Sequence, residues 1–507
     1  MRFIVFLLIG LLIRYLELSL RPLAPKPAQA KPLRNVIVII GDDHAAYDLG
    51  CYGNPVVRTP NLDRLAGQSA RFERAYVNSP VCTPSRQSFL TGKMPHATGV
   101  TLLSSALPDT TYTLAEHLKM KGFKTACIGK THFNSALTHG FDELVWQKEY
   151  NEYLKTVRET LPSTIRFSQA KHPWNDPVQV FWNADGLPAA HHDEHDIGTF
   201  FANRVNDFLD RNRANRFCLW VGFKEPHAPF NFPIEYANRY QPDQLILPTG
   251  SPEDDRYEPL VFKPLTDADR RGIIRSYYTS TEYLDKNIGL ILAKVAALNL
   301  TNETLIIYLG DNGYLLNHHK RFEKHTMWEE AVRVPLIIRA GVGKPQVINN
   351  LTEMVDLAPT ILAALGVETM PGLHGQSLLP LLTGQTTQHK DLIFSEYLPD
   401  NKAMVRTAQY KYVFTNGKRD LVMGYATGNP PAGIHHELYD LQRDPKEMTN
   451  IFGQSAYQKV GLELQKQMLA VFRRTHPNES LVSKNQSVDG QLASFCEPPE
   501  GERPDDK

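Results

Sequence analysis

Cysteine is scarce in this chain: five residues in 507, at Cys51, Cys82, Cys127, Cys218 and Cys496. The number is odd, too small for a disulfide framework, and the spacing fits no thiolate metal site. At least one of the five is therefore a free thiol, an intermolecular partner or a chemically altered residue. Net charge is missing as well, with 55 Lys and Arg against 55 Asp and Glu. Without a basic excess no nucleic-acid partner is expected, and any anionic ligand must be met by a local cluster. Long apolar runs are absent too. The longest, Phe3 to Ile13, falls well short of the ~20 residues that span a bilayer, so no stable membrane span is expected. There is no internal repeat and no long low-complexity tract. A chain of this length organises as one large domain with a smaller one, or as two.

The N-terminus "MRFIVFLLIGLLIRYLELSLRPLAPKPAQAKP" combines Arg2, the apolar run and a small-x-small site at Ala28-Gln29-Ala30. This is the pattern of a signal peptide over residues 1–30, which predicts a secreted, periplasmic or lumenal protein. Arg14 and Glu17 interrupt the apolar segment and leave an uncleaved N-terminal anchor as the alternative. N-x-S/T sequons begin at Asn299, Asn302, Asn350, Asn478 and Asn485, and matter only in a host that glycosylates.

"NVIVII" (35–40) is a continuous β-branched run suited to a strand buried on both faces. It runs directly into Gly41-Asp42-Asp43-His44. The same layout recurs where "KTACIG" meets Lys130-Thr131-His132, "FCLWVGF" meets Lys224-Glu225-Pro226-His227, and "TLIIYLG" meets Asp311-Asn312-Gly313. Helical patterns lie between them: "PNLDRLAGQSA", "TLAEHLKMKG" with a Thr113/Glu116 capping box, "IGTFFANRVNDFLDR" and "SYYTSTEYLDKNIGLILAKVAAL". Alternating strands and helices predict an α/β fold with a large, mostly parallel sheet sandwiched by helices, over residues 31–390. In such sheets ligands bind outside the carboxyl ends of the strands, so the four polar clusters are expected to meet in one pocket. One such cluster would read as a turn or a helix cap; four at equivalent ends do not. From 391 to 507 short alternating segments followed by a helix, "AYQKVGLELQKQMLAVFRRT", predict a smaller C-terminal antiparallel sheet plus helix. A polar tail containing Cys496 ends the chain.

Asp42, Asp43, Asp311 and Asn312 offer only oxygen ligands, which suit a hard cation, Ca²⁺ or Mg²⁺. Opposite them stand Arg86, Lys130, His132, His227 and Lys324. A divalent metal with several fixed cations binds a tetrahedral oxyanion and stabilises charge as a nucleophile attacks it. Cys82, as it stands, reads as a thiolate activated by Arg86, yet a soft thiolate matches a hard, oxygen-ligated cation poorly.

The segment "CTPSRQSFLTG" resembles the sulfatase signature C-x-P-S-R-x-x-x-L-T-G throughout. "GDDHAAYDLGCYG", "TPNLDRLA", "GKTHF", "EPHAPF", "GDNG" and "KHTMWEEAVRVPLII" extend the similarity over roughly residues 35 to 345, and "ELYDLQRDPKEMTN" resembles the family's C-terminal segment. The mature chain is thus similar to type I sulfatases of the alkaline phosphatase superfamily. The resemblance implies that Cys82 is oxidised by a formylglycine-generating or equivalent maturation enzyme to Cα-formylglycine, with Pro84 and Arg86 as recognition determinants. The hydrated aldehyde offers one hydroxyl to attack sulfur and a second that expels sulfate. It further implies that Asp42, Asp43, Asp311 and Asn312 hold Ca²⁺ with residue 82 facing the ion, that Arg86 and Lys130 hold the diol, and that His132 is the base for sulfate release. Lys130, His227 and Lys324 are implied to bind the sulfate, His227 and Lys324 also assisting the leaving alcohol; Lys324 precedes Glu329 by the family's spacing.

The implied reaction is hydrolysis of a sulfate ester of a small molecule or carbohydrate. The alternatives are a phosphodiester or phosphonate monoester hydrolase on the same scaffold, and an inactive binding protein with Cys82 unconverted. Cys51, Cys127 and Cys218 read as packing residues. In "HHDEHD" (191–196), helix capping by Asp196 is the better reading than a second metal site. His318-His319 reads either as pocket mouth or as solvent-facing loop, and Val145 to Trp182 either as an insertion over the pocket or as a covering layer. Specificity for the alcohol is expected in loops such as 145–195 and 230–265.

Overall fold

The strand Asn35–Gly41 (β1) has no residue facing solvent, because its two sets of alternating side chains enter two different cores. Val36, Val38 and Ile40 pack on one face, and Ile37 and Ile39 on the other. In this computed structural model the described residues are 32–168, 174–175, 181–341, 344–417, 427–429 and 433–497. The signal-peptide pattern and part of the 145–182 segment lie outside them.

Among the described residues the main sheet has eight strands. The others are β2 (Ala70–Phe72), β3 (Lys124–Gly129), β4 (Glu143–Val145), β5 (Phe217–Gly222), β6 (Thr304–Gly310), β7 (Leu336–Arg339) and β8 (Gln346–Ile348). Their order is β8-β2-β7-β6-β1-β5-β3-β4. The run β6-β1-β5-β3-β4 is parallel, and β7 is antiparallel to both of its neighbours. Register aligns the ends: Gly41 lies opposite Gly310, Ile40 opposite Gly222, and Gly129 opposite Gly222. All four polar clusters thus leave the sheet on one edge.

Helices α1 (Pro60–Ala66), α2 (Cys82–Thr91), α3 (Leu114–Met120), α4 (Ile197–Asn212), α5 (Asp267–Ala297) and α6 (Leu357–Ala364) pack around the sheet. The Thr113/Glu116 capping box that opens α3 is formed. α5 begins at Asp267, well before the apolar pattern that predicts it, because Thr266 and Asp269 close a capping box there.

The smaller sheet is antiparallel, in the order β9 (Ile393–Tyr397), β10 (Lys402–Arg406), β11 (Tyr410–Gly417), β12 (Gly433–Asp440), and is covered by α7 (Gln458–Thr475). The expected polar tail is in part a further helix, α8 (Val488–Phe495), whose Phe495 stacks on Phe472 of α7 at 5.2 Å, burying Cys496. Among the described residues no helix is long and apolar enough to cross a membrane.

Candidate active site

Cys82 opens α2, and all ten residues of that helix are buried, polar ones included. Its side chains are held by the strand ends rather than by an apolar face. Arg86 Nε donates to Asp311 Oδ2 at 2.7 Å and Nη1 to the Lys130 carbonyl at 2.9 Å. Ser85 Oγ donates to the Asp311 carbonyl, and Gln87 Nε2 to that of His132 at 2.7 Å. The helix therefore ties together the loops after β3 and β6. Close approach of β3 and β5 requires glycine: Gly129 has φ +98°, and a Cβ there would lie 2.0 Å from the Gly222 carbonyl oxygen.

Asp43 and His132 adopt positive φ, 60° and 54°, a costly conformation that surrounding contacts must hold. For Asp43 its N–H donates to Asp311 Oδ1 at 2.9 Å and its carbonyl accepts from Tyr277 Oη at 2.6 Å. For His132 the ring Nδ1 meets Thr83 Oγ1 at 3.1 Å.

The centre is a net of opposite charges out of water. Lys324 Nζ lies 2.5 Å from Asp43 Oδ1 and 2.8 Å from Cys82 Sγ. Lys130 Nζ meets Asp42 Oδ2 at 2.5 Å, and Arg86 approaches Asp42 Oδ1 at 3.6 Å. Asn312 Nδ2 donates to Asp43 Oδ1 at 2.8 Å. His227 donates from Nδ1 to the Ala228 carbonyl at 2.6 Å, which turns Nε2 toward Asp43 Oδ2 at 3.6 Å.

Burial pushes both aspartates upward, yet Lys130, His227, Arg86 and Lys324 outweigh it and hold Asp42 well below the usual carboxylate range. Asp43 is lowered in the same way by His227 and Lys324. Burial lifts Asp311 to about 6, and the adjacent Arg86 guanidinium keeps it an anion at neutral pH. Burial works against the Lys324 ammonium, but Asp43 and its neighbours hold it charged. Burial lowers both imidazoles, reinforced at His132 by Lys130 and Arg86, so His132 is a neutral ring able to accept a proton. Burial also pushes the Cys82 thiol up to about 12 against the pull of Lys130 and Lys324. Burial thus works against the thiolate suggested by the bare sequence, and the Arg86 guanidinium is engaged by Asp311 and Asp42.

Two buried acceptors, Asp42 Oδ1 and Asn312 Oδ1, have no hydrogen-bond donor. Ligand atoms of Asp42, Asp43, Cys82 and His227 lie within 4.8 Å of one another, the metal-competent group found among the described residues. Orphaned oxygens beside paired carboxylates fit a hard cation. Both oxygens of Asp311 already accept hydrogen bonds, from Asp43 N–H and Arg86.

The other candidate features fall elsewhere. In the 191–196 run His191 pairs with Glu159 at 3.2 Å and His192 with Glu235 at 2.6 Å. Asp196 occupies the N-cap of α4, its buried carboxyl beside the Gly198 N–H and the Tyr283 hydroxyl, and that hydroxyl also accepts the Thr199 N–H at 2.9 Å. His318 bonds Glu330, while His319 is buried between Asp254 and the Trp328 ring. Cys127 and Cys218 are buried, and Cys51 is partly so.

Three contributors escaped the sequence reading. Thr83 holds His132. Glu225 accepts the Asp42 N–H through its carbonyl at 3.0 Å. Lys411, from β11, reaches under the Lys324 segment to Met327 O at 2.9 Å, Glu329 Oε1 at 2.8 Å and Glu447 Oε1 at 2.7 Å. Only a lysine inside the apolar run "YKYVF" hinted at the last.

Residues 34–367 match the family described as Sulfatase, and residues 317–474 match one described as N-sulphoglucosamine sulphohydrolase, C-terminal. The chain is 26% identical to an N-acetylglucosamine-6-O-sulfatase of Bacteroides thetaiotaomicron, covering 90% of this chain and 89% of that protein. Its fold is similar to that of a phosphonate monoester hydrolase of Agrobacterium radiobacter, with a TM-score of 0.74, 22% identity, and coverage of 88% and 96%. It is also similar to a structure in complex with D-glucosamine-2-N,6-O-disulfate, with a TM-score of 0.70, 23% identity, and coverage of 89% and 99%.

Proposed function

The chain belongs to the sulfatase family of the alkaline phosphatase superfamily and is a sulfuric ester hydrolase; from that premise we propose that it cleaves sulfate esters of carbohydrates, using a Cα-formylglycine made from Cys82 and a bound Ca²⁺. The observation that carries the reading is the state of Cys82. It stands at the start of a buried helix, against Lys324 and the two aspartates, with its thiol pushed up to about 12. A thiol so protonated is a poor nucleophile, whereas a maturation enzyme that oxidises it to an aldehyde would make position 82 reactive. The sulfur marks where the hydrate oxygens would project.

Asp42, Asp43, Asn312 and Asp311 would hold the cation, and the orphaned oxygens of Asp42 and Asn312 favour that assignment. When bound, Ca²⁺ would polarise the nucleophile and offset charge on the sulfate, and the hydrated aldehyde would supply both the attacking hydroxyl and the one that later expels sulfate. The remaining work belongs to the side chains. Lys324, held charged, faces position 82 and neutralises a sulfate oxygen. Lys130, braced on Asp42, and Arg86, braced on Asp311, orient the hydrate. His132, a neutral ring fixed by Thr83, takes the proton when sulfate leaves. His227, with Nδ1 anchored to a carbonyl, turns Nε2 into the site beside Asp43, where it would donate to the departing alcohol oxygen once the ring is protonated.

Relatedness to the N-acetylglucosamine-6-O-sulfatase favours a sulfated sugar as substrate. The fold it shares with a phosphonate monoester hydrolase supports a second reading on the same site. We also propose export of the mature chain through the 1–30 segment. Mass spectrometry of the peptide spanning position 82, from a host with the maturation enzyme, should show a loss of about 18 Da, and Cys82→Ala should abolish turnover. Fully active protein with an unmodified thiol refutes the proposal. Faster turnover of an aryl phosphonate than of its matched aryl sulfate would favour the second reading.

A further inference from the structure

Helix α2 uses the hydroxyls of its two threonines differently. Thr91, at its end, returns its hydroxyl to the Gln87 carbonyl one turn earlier at 2.7 Å, as threonine in a helix commonly does. Thr83 is the second residue, with no helical carbonyl a turn before it, so its hydroxyl turns to other elements. It is 0% exposed, and Oγ1 donates to the Leu103 carbonyl at 2.8 Å. Asn134 holds the same loop, its Nδ2 donating to Leu103 O at 2.8 Å and to Ser105 O at 3.0 Å.

A hydroxyl has a single proton. Spent on the Leu103 carbonyl, which can only accept, it leaves Thr83 Oγ1 an acceptor toward His132 Nδ1, 3.1 Å away. The two distances agree, the shorter suiting O–H···O and the longer N–H···O. The proton between Thr83 and His132 therefore belongs to the imidazole. Burial, with Lys130 and Arg86 close by, keeps that ring neutral, so its one ring proton sits on Nδ1. Nε2 is left with a lone pair, and has no partner among the described residues. Gln87, one turn after Thr83 on the same helix, donates Nε2 to the His132 carbonyl at 2.7 Å. The helix that begins with Cys82 thus clamps His132 by ring and by backbone.

We propose that Thr83 is a positioning residue that sets the tautomer of His132, holding its proton on Nδ1 and leaving Nε2 as the bare acceptor for the proton released when sulfate departs. The inference rests on the reading of His132 as the base and extends it to a residue that is not itself a base. A proton arriving at Nε2 gives an imidazolium that keeps its Nδ1–H bond to Thr83, so the transfer requires no rotation of the ring. In the opposite tautomer Nε2 already carries the proton and can accept nothing. A hydroxyl acceptor, unlike a carboxylate, fixes the ring without an opposite charge that would protonate it beforehand.

The test reads the tautomer directly by NMR. Cys82→Ala protein, which cannot be converted, is labelled with ¹⁵N in its histidine rings, and the His132 signals are identified by their loss in His132→Gln. At neutral pH long-range proton–nitrogen spectra should show a protonated Nδ1 and a bare Nε2. Thr83→Val, close in shape but without the hydroxyl, should move a large part of the population to the Nε2–H form, and Thr83→Ser should keep the parent pattern. Kinetics use enzyme whose conversion at position 82 is confirmed by mass spectrometry, because residue 83 lies inside the maturation motif. There Thr83→Val should lower kcat at least about tenfold with kcat/KM, which reports the steps through release of the alcohol, changed by less than about threefold. Thr83→Ser should return kcat to within about threefold of wild type. The parent spectrum decides the question even if Thr83→Val fails to fold: a bare Nδ1 with a protonated Nε2 overturns the proposal, as does an unchanged pattern in folded Thr83→Val. A shifted tautomer with wild-type kcat would sink the reading of His132 as the base and leave the tautomer assignment standing.

Discussion

Lys411→Met should slow catalysis steeply while moving the melting temperature little. Lys411 is 0% exposed, and its ammonium bonds the Met327 carbonyl, Glu329 and Glu447. Glu329 is held in turn by Tyr76 Oη at 2.8 Å and Arg406 at 3.4 Å, and its N–H donates to Glu447 at 2.6 Å. Removing one member of a buried ion network costs about 3–5 kcal/mol when the orphaned charge stays charged. Here it need not, because burial lifts Glu447 to about 7 despite Lys411, so it takes up a proton when the lysine goes. The loss should therefore fall to about 2–3 kcal/mol, and be smaller at pH 6 than at pH 8, where Glu447 resists protonation. In a chain of 507 residues the unfolding entropy is large enough that each kcal/mol moves Tm by only about 1 °C. The same substitution frees the 324–329 segment at two anchor points, and a displacement of about 1 Å at a positioning group costs on the order of 10²-fold in rate. The expected result is a Tm lower by about 2–3 °C with kcat reduced on the order of 10²-fold at 25 °C. Lys411→Arg should recover part of the rate through its retained charge. Aryl sulfate kinetics beside thermal melts give both numbers. A lowered Tm with wild-type kcat would refute the claim that Lys411 positions Lys324.

Asn312→Ala removes an oxygen with no donor and leaves no buried charge unpaired; elemental analysis should show Ca²⁺ occupancy falling at least about tenfold, and stoichiometric zinc, or unchanged calcium, would count against the site. His227→Ala should lower kcat/KM by about 10²–10⁴ for alkyl and poor aryl leaving groups, with the defect shrinking as leaving-group pKa falls; equal defects along an aryl series would leave His227 a sulfate-binding residue only. Glu225, whose carboxyl burial raises from its ordinary 4.5 to about 8, binds a proton more tightly folded than unfolded, so it costs stability as pH rises through that window. Glu225→Gln should therefore flatten the fall in Tm between about pH 5 and pH 8 while matching wild type below it; parallel profiles would show the carboxyl to be solvated.

The parts of the fold readable in advance were those driven by local periodicity. β1, β5 and β6 carry nearly continuous apolar runs, and β3 one after Lys124-Thr125, because both faces of the sheet are covered, and a polar residue just past each run marks where the chain leaves the sheet. α2 could not be read this way. It is buried on every side, so Thr83, Ser85, Arg86 and Gln87 face protein where an amphipathic helix would face water, and no helical stripe appears. The Cys496 tail failed for the opposite reason: a short, weakly patterned segment folds only because Phe472 offers Phe495 a surface.

For the site, residue type and order singled out carboxylates, cations and a cysteine that the fold does bring together. What those groups do to one another was decided by distance and burial. Asp311 looked like a metal ligand and is also the anchor of Arg86, whose guanidinium is braced between Asp311 and Asp42. Lys411 and Glu447 lie far along the chain from Lys324, and only the packing of the smaller sheet against the 324–329 segment brings them beneath it. Sequence determines which charges a chain carries, while Coulomb interactions depend steeply on separation and local dielectric, quantities that exist only once the strands have paired and water has been excluded.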